Sequence, residues 1–443
     1  MRREVLVVIA RWVVAMVLVL MVSACGDEAP SSTSAESTTP VNGPSVESLY
    51  NIHANGEVAW RVAAGDVQAS VAVADQAAIV VSGTQESGFS LQAFELNDGD
   101  NRWKVELGDG GFPAQLMIAY DVVVVFHDGS SGQTFEAFDP ATGESLWRRS
   151  LSGRSSLGAV EAGGLLLFSD AGADQVVALD PATGEERWTQ AIEGVSGKVP
   201  VLGDGRVLVD SLTELHALDV GSGEVAWSVH TAGDVDSLVV LGDAFGAITF
   251  EQGSQPDMIL EVFEGRSGAQ RWSFANPNIS VPPSTAATPD RVLVLTAPDP
   301  STGDTVVMLD VATGETVWSV APAGGAIGPT IVLASGDVLV AASEESGQHL
   351  SDTTATLLDG VTGEAVWEVK ISGTVLVPPT ATATSLLLPA ETEDGSAGAL
   401  VALDPTSGGQ LWSVDMALPP LHSPTTADES VLVGGAHRLD LGG

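Results

Sequence analysis

Residues 137–147 read AFDPATGESLW, from Ala137 to Trp147, and versions of this stretch recur from one end of the chain to the other. It returns as ALDPATGEERW (178–188), ALDVGSGEVAW (217–227), VFEGRSGAQRW (262–272) and MLDVATGETVW (308–318). Further copies are AFELNDGDNRW (93–103), LLDGVTGEAVW (357–367) and ALDPTSGGQLW (402–412), and a shorter one, IHANGEVAW, ends at Trp60. Every copy has Gly four residues before its Trp, and eight of the nine have Asp or Glu eight residues before it. An acid, a hydroxyl, a Gly turn and a Trp in one place suggest a binding site; ninefold recurrence makes them a structural unit instead.

The chemistry of the unit is that of a hairpin. Pro140 presets the backbone of the turn, Asp139 and Thr142 can hydrogen-bond within it, and Gly143 supplies a position of positive φ. The Trp is expected to wedge between neighbouring sheets, burying its ring while the indole N–H finds a backbone carbonyl. The nine are Trp60, Trp103, Trp147, Trp188, Trp227, Trp272, Trp318, Trp367 and Trp412, separated by 43, 44, 41, 39, 45, 46, 49 and 45 residues.

Periods in the forties suit a four-stranded propeller blade or a pair of solenoid helices, and the content of each period decides between them. Between the motifs lie strand-sized apolar runs: VVVVF (122–126), LLLF (165–168), RVLV (206–209), RVLVL (291–295) and SVLV (430–433). Turn residues usually precede them, and no stretch after the first 25 residues sustains three turns of helical periodicity without Gly or Pro. Each period therefore reads as four strands: a lead strand, the Val/Leu-rich strand, the strand ending in xALD, and the strand bearing Trp.

The pattern [AV]-[LF]-D-x-x-T-G-x-x-x-W resembles the tryptophan-docking repeat of the pyrroloquinoline-quinone (PQQ) dehydrogenase-like propellers, over roughly Tyr50 to the C-terminus. The resemblance implies an all-β fold, a single β-propeller across residues 48–443, with eight blades expected and the ring closed by N- and C-terminal strands. Counting periods in this chain allows nine. For closure, SPTTADES, VLVGG and HRLDLGG at the C-terminus resemble the first three strands of a blade, and the segment ending at Trp60 supplies the missing Trp strand. Pairing the ends in this way covers sheet edges that would otherwise lie open.

The N-terminus reads differently. Arg2, Arg3 and Arg11 precede an apolar run from Trp12 to Val22 and then small residues before Cys25, the layout of a secretory signal over residues 1–24. Val22-Ser23-Ala24-Cys25 resembles the lipobox of bacterial lipoproteins, which implies a diacylglycerol on Cys25, the only cysteine in the chain. Residues 25–47 are then the lipidated Cys and a Ser/Thr/Pro/Glu-rich tether with no apolar period, unable to bury enough surface to order itself. The chain is expected to be exported and lipid-anchored on the extracytoplasmic face of a bacterial membrane. A composition rich in Ala, Val, Gly and Asp with three Lys points to the cytoplasmic membrane of a high-GC Gram-positive cell, or to the outer membrane if the cell is diderm.

With 17 basic against 58 acidic residues, the formal charge is −41 and spread along the chain, a surface that repels nucleic-acid phosphates. A lone cysteine leaves no internal disulfide and no Cys-based metal cluster. The dehydrogenases that the repeat resembles use PQQ, calcium, an Asp base, a vicinal disulfide and a Trp floor under the quinone. Here the disulfide is impossible, and all Trp residues outside the signal belong to the repeat. His53, His127, His216, His230, His349, His422 and His437 are scattered, with no HExxH or HxH pattern, and no GxSxG or P-loop occurs. The acidic loops 97–100 and 391–395 lack the spacing of a dedicated calcium site and read as solvated turns.

The expectation is a non-catalytic protein-interaction scaffold of the cell envelope with no cofactor and no metal, partnered by an envelope protein and by the membrane through Cys25. It is similar in anchor and repeat to the propeller lipoprotein of the outer-membrane barrel-assembly machinery. An envelope sensor or small-ligand-binding propeller is the alternative, and a PQQ-dependent dehydrogenase the third reading. Variation between copies, such as the insertion at Ser343–Thr354 in the longest period, is where function would reside.

Overall fold

Burial of both faces explains the apolar runs. In Val122–Gly129, alternate residues enter different seams: Val122, Val124 and Phe126 pack toward the following blade, while Val123 and Val125 pack toward the preceding one. A strand covered on both sides has no polar face to show, so it reads as VVVVF rather than as an alternation. The other four runs likewise become the second strands of their blades, Leu165–Asp170, Arg206–Ser211, Arg291–Thr296 and Ser430–Gly434.

The structure is a computed structural model. It describes residues 46–436, apart from 68–70, 85–87, 108–111, 130–131, 152–157, 199–200, 204, 212–213, 251–257, 277–278, 281–286, 289, 297–303, 324–325, 347–348 and 428–429. The described residues from Glu47 onward belong to one compact unit. The expected signal, Cys25 and nearly all of the tether lie outside the described residues, as does HRLDLGG.

Nine antiparallel sheets make up the propeller, numbered here as blades 1–9. Blade 3 is typical: Phe112–Ala119, Val122–Gly129, Gly132–Phe138 and Ser145–Ser150 pair in sequence order. Lead strands of successive blades, such as Ala72–Ala74 and Phe112–Ala119, lie against one another at the inner edge. The Trp strand is the opposite, outer edge of each sheet. Nine blades are what the period count allows; the eight that the resemblance implies are not the number found.

Blade 1 closes the ring with two strands from each terminus rather than three and one. Its order is Thr425–Ala427, Ser430–Gly434, Leu49–His53, Val58–Val62, with Tyr50 opposite Val433 and Asn51 opposite Leu432. Leu49, Tyr50 and Ile52 are buried, which explains why LYNIH takes the third place that the sequence reading reserved for the C-terminus.

Among the described residues there is no common hub of apolar side chains. Nine separate hydrophobic clusters fill the nine seams between adjacent blades, and each contains one repeat Trp. The insertion near Ser343 lengthens a hairpin, Val338–Ser346 with His349–Leu358, instead of forming a separate lobe.

Candidate functional site

Each repeat Trp reaches into the turn of the next blade. The indole N–H of Trp103 donates to Pro140 O, that of Trp147 to Pro181 O and that of Trp188 to Val220 O, at 2.8–2.9 Å. Trp227, Trp272, Trp318 and Trp367 continue the series to Gly265, Val311, Gly360 and Pro405, at 2.8–3.1 Å. Trp60 donates to Leu96 O and Trp412 to Ala54 O, both at 2.9 Å, so the hydrogen bonds run round the ring without a break.

The acceptor turns are held by their own side chains. Asp139 Oδ1 accepts from the backbone N–H of Ala141 and Thr142, each at 2.9 Å, and from Thr142 Oγ1 at 3.0 Å. These bonds fix the carbonyl of Pro140 in place for Trp103. Gly143 has φ +72°, and a Cβ there would stand 2.7 Å from the Trp103 ring, so Gly is required both by the turn and by the ring lying on it.

One feature of the motif escapes a reading by residue type. In all nine blades the register between third and fourth strands slips at the residue before the Trp, a β-bulge. A bulge bends the edge strand and re-aims its side chains. Here it accompanies the turn of the Trp toward the next blade and leaves the preceding residue on the rim. Those residues are Ala59, Arg102, Leu146, Arg187, Ala226, Arg271, Val317, Val366 and Leu411. In the sequence this position changes chemical character from copy to copy, as do other positions of the motif.

On blades 2, 4 and 6 the bulge residue is an Arg that folds back on acids of its own blade. Arg102 binds Glu95 through Nε and Nη2, both at 2.8 Å, and Asp75 Oδ2 at 2.7 Å, and it holds Glu95 below the usual carboxylate range. Arg187 pairs with Asp180, and Arg271 with Asp243 at 3.0 Å. Blades 7, 8 and 9 place Val317, Val366 and Leu411 at the same position, all exposed, and no Arg occurs between Arg291 and Arg438.

Groups with catalytic potential are few. His216 is buried and its ring nitrogens face two hydroxyls, Ser211 Oγ 2.7 Å from Nε2 and Ser228 Oγ 2.8 Å from Nδ1. A nucleophilic Ser–His pair needs an acid orienting the second nitrogen; the nearby carboxylate, Glu214, lies 3.8 Å from Nε2 itself. Burial pushes the His216 imidazole below its ordinary value. It is a satisfied core side chain, as its place before the LD pair suggests. His127 is 1% exposed, neither ring nitrogen has a hydrogen-bond partner, and Glu136 Oε2 stands 3.8 Å from Nε2. Burial, reinforced by the Arg148 guanidinium, pushes this imidazole down to about 4. Lys198 bridges blades 5 and 6, reaching Asp210 Oδ2 at 3.1 Å and the carbonyl of Val235.

The residues do not suit bound PQQ. All nine described Trp rings are committed to seams, which leaves none among the described residues as a floor for a quinone. Among the described residues no cluster of three or more His, Cys, Asp or Glu is arranged to hold a metal ion. The acidic loops are occupied by their own bonds: Asp394 Oδ1 accepts from Thr392 Oγ1 and Ser396 Oγ, both at 2.7 Å, which draws its carboxyl down to about 2. Asp98 Oδ1 accepts from the N–H of Asp100 at 3.1 Å. Among the described residues no helix is long and apolar enough to cross a membrane.

Solved structures resemble the chain at low identity. BamB from Moraxella catarrhalis is 18% identical, over 79% of this chain and 98% of its own, with a TM-score of 0.46. Quinohemoprotein alcohol dehydrogenase from Comamonas testosteroni is 14% identical, over 88% and 72%, with a TM-score of 0.47. A eukaryotic initiation factor is 9% identical, over 89% and 100%, with a TM-score of 0.56. The likeness to the initiation factor is one of fold alone. Among curated proteins none matches the chain. Residues 131–253, 256–358 and 306–439, more than half of the chain, match one family model. The chain belongs to that family, described as outer membrane protein assembly factor BamB.

Proposed function

We propose that the chain is a non-catalytic protein-interaction scaffold of the cell envelope, held at the extracytoplasmic face of its membrane by a lipid on Cys25. The observation that carries the scaffold reading is the commitment of every described repeat Trp to a seam, which turns the residues richest in binding chemistry into fastenings. The family's description supports it by naming assembly rather than a reaction. The lipobox-like Val22-Ser23-Ala24-Cys25 and the run Trp12–Val22 support export and anchoring. A tether of about 20 residues has an r.m.s. reach of roughly 25 Å, enough to hold a globular domain clear of the headgroups.

Two experiments test this reading. Globomycin should make an unprocessed precursor accumulate, and Cys25→Ser should release the chain from the membrane fraction; normal processing and retention would overturn the anchor. Crosslinking on intact cells, followed by pull-down of the full chain, should return an envelope protein. A quinone absorbance and dye-linked alcohol or sugar oxidation on adding PQQ and calcium would overturn the non-catalytic reading, and failure to recover any partner would count against the scaffold.

A further inference from the structure

The rim is not uniform. Twelve of the 17 basic residues lie between Arg61 and Arg291, whereas residues 292–437 contain one, Lys370, against 18 acidic residues. The same stretch carries Val317, Val361, Val366 and Leu411, four of the eight large apolar side chains exposed among the described residues, with Val361 exposed to 76%. Single exposed apolar residues need no explanation, but a run of them on consecutive elements does.

The seams order these four along three successive blades. Trp318 lies on Gly363 and donates to Gly360 O, so Val317 on blade 7 borders the turn of blade 8 that holds Val361. Val366 follows on the same hairpin. Trp367 in turn lies on Gly408 and donates to Pro405 O of the blade 9 hairpin that ends in Leu411. Glu315, Glu364 and Glu368 are exposed beside them.

We propose that the rim of blades 7–9 is a docking surface for a basic segment of a partner protein, one in which Lys or Arg alternates with apolar residues; this deepens the scaffold reading and rests on it. The apolar bulge residues supply contact area, and the carboxylates around them supply charge complementarity that orients and speeds encounter. A second copy of the chain would bring like charge to like. An anionic lipid surface would be repelled in the same way. Addition of a partner strand to the outer edges is opposed by the bulge, which interrupts the row of free backbone groups at the residue before each Trp. Side-chain recognition remains.

The test uses the full chain and a fluorescent 14-residue peptide alternating Leu and Lys on an amphipathic pattern. Its affinity should fall at least about tenfold in Val317→Ser/Val366→Ser/Leu411→Ser and fall as salt rises, while Leu146→Ser, a matched exposed position on blade 3, changes it less than about twofold. Equal losses in both variants, or none in the triple variant, would overturn the assignment. In cells, a photocrosslinking residue at position 366 should capture a partner through a Lys- or Arg-bearing apolar segment. Capture from position 146 alone sinks the rim proposal and leaves the scaffold reading standing; capture from neither sinks both.

Discussion

Blade 1 and blade 3 are built alike and assembled differently. In blade 3 the four strands follow one another through short turns; in blade 1 the middle pair, Ser430–Gly434 and Leu49–His53, is joined by nearly the whole propeller. Yet Trp412 meets blade 1 as Trp103 meets blade 3: both donate at 2.9 Å, and both rings lie within 2.7 Å of where a Cβ on the facing glycine, Gly56 or Gly143, would be. The seam is therefore indifferent to connectivity. For a free chain, bringing ends some 380 residues apart would cost roughly 4 kcal/mol more than closing a four-residue hairpin. The eight blades between deliver the ends already aligned, which lowers that cost.

This equivalence is open to attack. Removing the ring should be the most damaging change: Trp147→Ala and Trp412→Ala should each lose roughly 3–5 kcal/mol in denaturant unfolding, the transfer and cavity cost of an aromatic side chain. Values differing by more than about 1 kcal/mol would show that closing the ring makes a seam special. A loss below about 1 kcal/mol in both would refute the wedge role altogether. Next come Gly56→Ala and Gly143→Ala, expected to cost about 2–3 kcal/mol each, from an unfavourable backbone plus displacement of the Trp ring.

A third prediction sharpens the contrast through pH. His127 alternates with Val123 and Val125 toward the seam between blades 2 and 3. Its folded-state value is near 4 against the ordinary 6.5. The unfolded chain takes up this proton from about pH 6.5 downward while the folded chain resists until about 4, so the stability due to neutral His127 is complete above that window and drains away as pH falls through it. The loss should be no more than about 3–4 kcal/mol, and His127→Phe should flatten it. Hydrogen exchange at pH 4.5 should then open blades 2 and 3 before blade 1; the reverse order would mean that the closure is the weak point in acid. Smallest of all, Arg102→Met should shift Tm by no more than about 2 °C, because its ion pairs are partly exposed.

What the sequence disclosed was whatever repeats. The Trp and Gly of each motif, the second-strand runs and the joining of the termini are periodic or terminal features, and periodicity survives in one dimension. The partition of blade 1 was not legible, since Leu49–His53 is five residues long and its partner strand lies at the far end of the chain. Blade number was legible only as a count, because each seam sets a local angle and no single residue records how many seams fit a circle. The bulge was missed for a different reason: it is a matter of register between two strands, and the residue it displaces varies from Ala59 to Arg102 to Leu146. His127 gave no sign of itself, for burial without partners is a property of its surroundings.

Nine separate seams have a consequence for how such a chain can change over time. Copying one 44-residue period in frame adds a blade that brings its own turn, its own Trp and its own glycine, and only the angle at each existing joint must yield slightly. Copy number in this architecture is a quantity that genetic duplication can alter without redesigning any interior.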